Sequence, residues 1–464
     1  MVSYNICMKY TDTIVACATP QGVGAIAIVR LSGTDSRVIL EAIVTPHRGG
    51  VWRTRQVRYG HVMTHDGAVI DEVLAFWMRG PHSYTGEDVV EISCHGGSVA
   101  TELVIARCIA AGARLANPGE FTMRAYAAGR IDLSQAEAVM DVIQAQTPQA
   151  LAQAHQQLQG WLGTAVSELR HALLYELAAV IARIDFPDDV DEDVLDVSAL
   201  QRVALQIEAY ISTARAGALL RDGAQIALLG RPNVGKSSLL NALLRYDRAL
   251  VSSVAGTTRD TIEEHADIAG VPVRFVDTAG IRAHTPDSVE QMGITRSRLI
   301  ATQADLALVL IDGSQSLNDE DMLVIAARGT APTLLVITKS DLPAHPAVAT
   351  TLAPFRTSGQ FVAEVTLSTI TGSGLDELRC CIAATLQGAA PVNDRRISNT
   401  RHLDALKRAQ IAVADAHAGA SGQLAAELIA IDLQDGVNAL GEITGQDVTE
   451  ALLDVVFARF CIGK

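Results

Sequence analysis

One nine-residue stretch, Gly230-Arg-Pro-Asn-Val-Gly-Lys-Ser-Ser238, narrows what this chain can fold into more than any other feature. It has the form G-x-x-x-x-G-K-[ST], follows the apolar run 225–229 and opens a helix-forming segment, Ser238–Leu244. Such a loop works only between a strand and a helix. Its glycines let successive backbone N–H groups turn inward, and the helix N-terminus adds partial positive charge. The surrounding segment is therefore α/β. Runs 273–276, 305–311 and 333–338 read as further strands separated by helical stretches, the pattern of a parallel sheet with crossover helices.

The flanks have a different texture. Residues 1–125 alternate short β-branched runs with Gly/Pro turns and read as an α+β domain. Residues 126–220 are rich in Ala, Leu and Gln, strong helix formers, with an acidic segment at Asp185–Asp196 that reads as a solvated loop and a helix expected over Leu200–Leu220. Residues 221–385 hold the α/β block, and 386–464 return to helix. The expected architecture is multidomain, α/β with α+β: a Ras-like phosphate-loop domain inserted in a helical bundle and preceded by an α+β domain. At roughly 150 residues per domain, 464 residues fit about three cores.

Composition removes several classes. An apolar fraction of 49% excludes a disordered chain, and no apolar run approaches the ~20 residues of a membrane span, so no membrane partner is expected. Seven cysteines without C-x-x-C spacing exclude a disulfide framework or a structural zinc site, and fit a reducing cytoplasm. With 37 basic and 52 acidic residues the formal charge is −15, so any nucleic acid must be met by a local patch or through a partner. His47, Arg48, Arg53, Arg55 and Arg58 form such a patch, and a plain solvated face explains them equally well.

Three ordered motifs define a nucleotide site. In the phosphate loop, Asn233, Val234, Gly235, Lys236, Ser237 and Ser238 are the expected contacts; Lys236 reaches the β- and γ-phosphates and the Ser237 hydroxyl suits Mg²⁺. The run 273–276 delivers Asp277-Thr278-Ala279-Gly280, in which Asp277 supports the Mg²⁺ shell and the Gly280 N–H senses a γ-phosphate. The run 333–337 delivers Thr338-Lys339-Ser340-Asp341. Asp341 accepts from both N1–H and N2–H₂ of guanine, an edge adenine lacks, and so selects GTP. Most guanine loops begin with Asn, so Thr338 predicts weaker loop anchoring without altered base choice. Ser368, Thr369 and Ile370 are placed to cover the base. The chain reads as a GTPase.

Hydrolysis requires something other than the usual water-orienting Gln, because the position after Gly280 is Ile281. The switch segment Ser252, Ser253, Val254, Ala255, Gly256, Thr257 and Thr258 is rich in hydroxyls and small residues. Thr258 suits Mg²⁺, and carbonyls beside it can cage a monovalent cation that neutralises phosphoryl charge. Arg259 is the competing candidate, as an arginine finger.

Gly230–Ser238, Gly256-Thr-Thr-Arg-Asp260, Asp12-Thr-Ile-Val-Ala with Thr19-Pro, and the final Cys461-Ile-Gly-Lys464 together resemble the MnmE (TrmE) family of bacterial tRNA-modifying GTPases, across essentially the whole chain. Tyr84–Glu91, His95-Gly-Gly97, Asn117–Phe121 and Gly441–Gly445 match as well. The resemblance implies a cytoplasmic homodimer with an N-terminal folate-binding and dimerisation domain. It implies an FAD-dependent, NADH-using partner of the MnmG/GidA type in a heterotetramer. The reaction implied adds an aminomethyl-type group to C5 of the wobble uridine of certain tRNAs, the one-carbon unit coming from 5,10-methylenetetrahydrofolate (or 5-formyltetrahydrofolate). It assigns K⁺ to Asn233, Ser252, Val254 (carbonyl) and Thr257, Mg²⁺ to Ser237 and Thr258, and the catalytic water to Glu290. Folate falls to Arg30, Glu91, Arg130 and Lys464, with Cys461 near the modification chemistry; His95, lacking visible metal partners, reads as structural.

Two other function classes remain open at this level. A ribosome-assembly GTP switch would do no one-carbon chemistry, and is disfavoured by the acidic balance and the terminal tetrapeptide. A folate-binding regulatory module would use its GTPase domain only to signal. GTP turnover in KCl against NaCl, together with folate retention, separates them.

Overall fold

The structure, a computed structural model, describes residues 11–20, 22–187, 195–246, 264–277, 304–387, 395–422, 424–446 and 448–464. The chain divides into two compact units. One comprises Met1–Met140, Gln157–Leu200 and Ile411–Lys464; the other comprises Asp141–Gln156 and Gln201–Gln410.

The first unit begins with β1 (Ile14–Cys17), β2 (Ile26–Ser32), α1 (Ser36–Ile43), β3 (Val44–Pro46), β4 (Arg58–Met63), β5 (Val69–Met78), β6 (Val89–His95), α2 (Ser98–Ala110), β7 (Arg114–Leu115) and α3 (Glu120–Ala127). The strands form one sheet in the order β3-β4-β5-β6-β2-β1-β7, antiparallel except where β1 meets β7. Period-2 alternation sorts its two faces. Val29, Leu31, Val73, Ala75, Val90 and Ile92 join α1 and α2 in the core, with Trp52 and Trp77. On the opposite face Ile14 and Ala16 pack with Phe121 of α3. Ion pairs attach that helix: Arg124, 2% exposed, reaches Asp12, Glu87 and the equally buried Glu120. Burial pushes the Glu120 carboxyl up, but Arg114 and Arg124 outweigh it and hold it below the usual carboxylate range.

Five helices follow: α4 (Leu133–Gln144), α5 (Pro148–Leu158), α6 (Trp161–Asp185), α7 (Val197–Ser212) and α8 (Ala214–Asp222). The single helix expected over 200–220 is thus two. Thr213 is the break: its hydroxyl donates to the Tyr210 carbonyl at 2.7 Å and accepts from Ile397 N–H at 3.1 Å, bonds that compete with helix continuation.

The second unit's sheet is built from β8 (Ala224–Leu229), α9 (Lys236–Tyr246), β9 (Glu264–Ile268), β10 (Val271–Asp277), β11 (Leu306–Asp312), α10 (Asp319–Ala326), β12 (Thr333–Thr338), α11 (Pro346–Thr357), β13 (Ala363–Thr366) and α12 (Leu375–Gln387). Its order is β13-β12-β11-β8-β10-β9, parallel apart from the β9–β10 hairpin. That hairpin is an addition to the expected pattern. It turns through Ala269 (φ 51°) and Gly270 (φ 89°), the two left-handed residues a tight hairpin needs. Both sheet faces are covered: Ile226, Leu228 and Leu308 pack with Leu239 and Leu378, while Ala227, Leu229 and Val309 pack with Ile325 and Leu352. Covering both faces explains why β11 is buried throughout and reads as an unbroken apolar run.

The chain closes with α13 (Thr400–Ser421), α14 (Ala426–Thr444) and α15 (Glu450–Phe457). In the first unit α14 packs closely on α6. Gly436 faces Leu173 in this contact, and a Cβ there would lie a tight 3.2 Å from the leucine side chain. Leu453, Val456, Phe457 and Phe460 bury against Leu133 and Ala136 beside α3. No helix among the described residues is long and apolar enough to cross a membrane.

Candidate functional site

In the second unit's sheet the chain passes from β8 to one side (β10) and then returns to the other (β11). The C-terminal end of β8 is therefore the point where strand order reverses, and in open α/β sheets that crevice receives ligands. The phosphate loop occupies it. Gly230 is required by space, since a Cβ would meet Val234 at 2.8 Å and the Leu310 carbonyl at 3.1 Å. Asn233 (φ 61°) and Gly235 (φ 107°) both take left-handed backbone, which curls the loop, and the helix begins with Leu239 N–H donating to the Gly235 carbonyl. Lys236 is 7% exposed, its ammonium donating to the Gly230 and Arg231 carbonyls at 2.6 and 2.9 Å. This fixes a cation at the centre of the loop, in front of a helix N-terminus.

Parallel pairing brings the ends of β11 and β12 to the same edge. Thr338, 2% exposed, donates its hydroxyl hydrogen to the Val234 carbonyl at 2.8 Å, with the Ile311 carbonyl at 3.2 Å. Although it lacks the Asn amide, the shorter threonine ties the guanine loop to the phosphate loop. Lys339, at φ 61°, forms a 2.7 Å ion pair with Asp312. Burial pushes the Asp312 carboxyl up, but hydrogen bonds from Lys339 and Ser314 outweigh this and hold it below the usual carboxylate range. Arg231 reaches the same turn, donating to Gln315 at 2.9 Å and lying 3.3 Å from Asp321, whose carboxylate also caps α10 with Asn318. One turn, 312–321, therefore grips both nucleotide loops.

The base side is equally well defined. Asp341 is exposed and accepts from the buried Ser368 hydroxyl at 2.5 Å, which orients the carboxylate; the Ile370 and Thr371 N–H groups donate back to Ser368. Ser340 N–H donates to the Leu367 carbonyl, joining the loops after β12 and β13. Thr369 is half-buried and Ile370 83% exposed beside them. Val234 is buried, while Asn233, Ser237 and Ser238 are exposed at the mouth of the phosphate loop.

Within the first unit a second constellation lies on the sheet face. Arg30 and Glu91 are directly opposed on β2 and β6 and form a 2.8 Å ion pair. The guanidinium lies 5.9 Å from the Phe121 ring and donates to the Gly463 carbonyl at 3.3 Å. Gly463 (φ 99°) must be glycine, because a Cβ would fall 2.2 Å from the Cys17 carbonyl. This close approach carries Cys461 and Lys464 to the end of β1. The Lys464 ammonium is pushed below its ordinary range by burial and then by the charge of Arg30. Arg130 is exposed, its stem beside Gly86, and its guanidinium makes no ion pair among the described residues. His95 donates from its backbone to Asp71 at 2.8 Å and pairs through Nδ1 at 2.6 Å, which raises its pKa. Expected from the sequence to be structural, it is here the ion-pair partner of Asp71.

The structure thus brings Arg30, Glu91, Lys464 and Cys461 together, and aligns the phosphate loop with Thr338–Asp341 and Ser368–Ile370. Ser252, Ser253, Val254, Ala255, Gly256, Thr257, Thr258, Thr278, Ala279, Gly280, Ile281, Glu290 and Arg259 lie outside the described residues, and only the backbone of Asp277 is described. Sequence reasoning missed Asp312, Arg231 and Phe121. The available signal for Asp312 was its place, the last residue of an apolar strand, followed by Gly313, where a Cβ would strike Ile337 at 2.8 Å.

With this geometry in view, comparison with known proteins is consistent across the chain. Residues 13–130 match the family model described as GTP-binding protein TrmE N-terminus, and residues 133–461 match the MnmE helical domain model. The tRNA modification GTPase MnmE of Roseiflexus sp. (strain RS-1) is 48% identical over 463 residues, covering 98% of this chain and 100% of the relative. That of Chloroflexus aurantiacus is 49% identical over 456 residues with the same coverage. That of Geobacillus thermodenitrificans is 42% identical over 467 residues, again covering 98% and 100%.

Proposed function

The chain belongs to the MnmE family of tRNA modification GTPases, and from that premise we propose that it is a K⁺-activated GTP hydrolase whose turnover serves one-carbon modification at C5 of a tRNA wobble uridine. The observation that carries the GTP reading is the joining of two loops at one sheet edge. Lys236 is centred in the phosphate loop, and Thr338 ties that loop to the segment presenting Asp341. Lys236 holds the β- and γ-phosphates, Asp341 accepts from the guanine edge, and Ser368 keeps that carboxylate in place.

The residues present fit the metal ions. Ser237 offers an exposed hydroxyl in the first turn of α9, and Asn233 exposes its side chain at the left-handed crest of the loop. Mg²⁺ would be held by Ser237 and Thr258 and supported by Asp277, with K⁺ at Asn233, Ser252, Val254 and Thr257. Bound there, the two cations supply positive charge to the phosphoryl oxygens, a part played elsewhere by an arginine finger. Glu290 orients the attacking water, in place of the glutamine that Ile281 does not provide. Turnover of GTP in KCl against NaCl tests this; equal rates would remove K⁺ activation.

The constellation on the first sheet fits a reduced folate. Glu91 supplies acceptor oxygens of the kind an amino-pyrimidinone edge requires, and a ligand with negative charge would relieve the repulsion between Arg30 and Lys464. Arg130 would meet the ligand's anionic end, and Cys461 would stand near the modification chemistry. The folate carries the one-carbon unit. We assign the remaining parts to a homodimer of this chain and an FAD- and NADH-dependent partner of the MnmG/GidA type, joined in a cytoplasmic heterotetramer. Nucleoside analysis of tRNA from cells lacking this protein is the test, and an unchanged wobble uridine would end the reading.

A further inference from the structure

Residues 47–65 contain four arginines, three histidines and no acidic residue, in a chain whose formal charge is −15. Their structure separates arginines that build the loop from arginines that the loop displays. Trp52 is 5% exposed and anchors the segment in the core. Arg58 lies 5.1 Å from the Trp52 ring and donates to the carbonyls of Gly50 and Arg48. Arg55 takes left-handed backbone (φ 60°); its N–H donates to the Trp77 carbonyl at 2.7 Å and its guanidinium to the His82 carbonyl at 3.0 Å. Thr54 accepts from Arg79 N–H at 3.2 Å, which fixes the next loop alongside. Arg55 and Arg58 are therefore spent on the scaffold.

Arg48, Arg53 and Arg79 are exposed, and none makes an ion pair among the described residues. Other exposed or half-exposed arginines in this molecule do pair: Arg37 with Glu41, Arg356 with Glu364, Arg408 with Asp404. Holding three unpaired guanidiniums on two adjoining ordered loops, without a neutralising carboxylate, is favourable when an external polyanion supplies the charge. Beside the loop, Tyr59 is 43% exposed, with its ring 5.6 Å from that of His47 and 5.7 Å from that of His61. A basic track bordered by the exposed Tyr59 and His47 rings suits a ribose-phosphate backbone better than an acidic protein surface. Glu72, 3.9 Å from His61, sets the limit of that track on β5.

We propose that the 47–58 loop, with Arg79, is an RNA-backbone contact surface of this chain, in which Arg48, Arg53 and Arg79 meet phosphates. The proposal rests on tRNA being the object of the chain's chemistry. The full-length protein carrying Arg48→Ala and Arg53→Ala tests it by tRNA binding, read as fluorescence anisotropy across a salt series. Removing two phosphate contacts should weaken affinity at least tenfold near 0.1 M salt and flatten the slope of log K against log salt by about 2. GTP turnover and melting temperature should stay unchanged, and Arg356→Ala, on the other unit, should leave tRNA affinity intact. An unchanged affinity and slope overturn the proposal. Normal tRNA binding with loss of the flavin-dependent partner also overturns it and makes the loop a protein contact. A wild-type chain that binds no tRNA overturns the reading beneath it, which failure of the double variant alone would leave standing.

Discussion

The two sheets place their candidate ligand residues in opposite ways. On the antiparallel sheet Arg30 and Glu91 sit within strands, facing each other across the ladder on a face that α3 covers only at its β1 end. On the mainly parallel sheet the equivalent residues sit beyond the strand ends: Lys236 opens α9 after the phosphate loop that follows β8, and Asp341 lies in the loop after β12. Crossover helices cover both faces of a parallel sheet, so polar groups that must meet a ligand are pushed to its carboxyl edge. An antiparallel meander needs no crossovers and can offer a face instead. The lesson concerns fragility. An edge site depends on several loops being held in register, which is what Thr338 and the 312–321 turn do; a face site inherits its register from the ladder.

The largest expected break is at the edge. Lys236→Ala should lower kcat/KM for GTP by about 10²–10³-fold, measured by phosphate release, while folate binding by the same protein stays intact. Loss of both activities would show that the two sheets do not work separately. Next comes the reciprocal change on the face: Glu91→Gln should weaken reduced-folate affinity by about 10–100-fold by calorimetry, since a buried-side acceptor becomes in part a donor, with GTP turnover within about twofold of wild type.

Asp312→Asn sharpens the contrast further, because it touches no ligand. The variant should keep acceptance from Ser314 yet lose the charge that holds Lys339, so the dissociation constant for GDP should rise about tenfold. Adding Arg231→Gln should produce a combined loss that is not the sum of the single losses, because both residues are held by the same turn. Strict additivity would mean that the turn does not link the loops.

The smallest effect concerns His95 at the end of β6. Its pKa is raised by Asp71, so the pair contributes stability at pH values below the ordinary histidine range, and the contribution fades as pH rises through the raised value. The melting-temperature gap between wild type and His95→Gln should therefore be larger at pH 6 than at pH 9. A gap independent of pH would assign the residue's role to shape alone.

Much of the edge site was legible in the sequence because its residues are consecutive. Gly230–Ser238 and Thr338–Asp341 each carry their own chemistry at fixed spacing, and the apolar runs before them announce strands. The face site was legible only through resemblance, since Arg30, Glu91 and Lys464 are separated by long stretches of chain and resemble ordinary surface charges individually. Thr338 shows what residue types alone do not reveal: the absent amide predicted weaker anchoring, and the tie its hydroxyl makes, 2.8 Å from the Val234 carbonyl, exists only once strand pairing sets it there.

By itself, then, the sequence determined most local conformations, though neither the break at Thr213 nor the β9–β10 hairpin. It specified a phosphate loop where glycines and a following helix former leave the backbone few alternatives, strands where apolar runs demand burial on both faces, and a candidate base-reading carboxylate, Asp341, in a short motif. Only the tertiary structure decided which distant charges become partners: Arg30 with Glu91, Lys339 with Asp312, Arg231 with the α10 cap, and which arginines of the 47–58 loop are spent inward or left outward. The physical reason is range. Backbone preference is set by neighbours in the chain, whereas charge pairing and desolvation act over a few ångströms of space and stay undefined until folding brings remote segments within that distance.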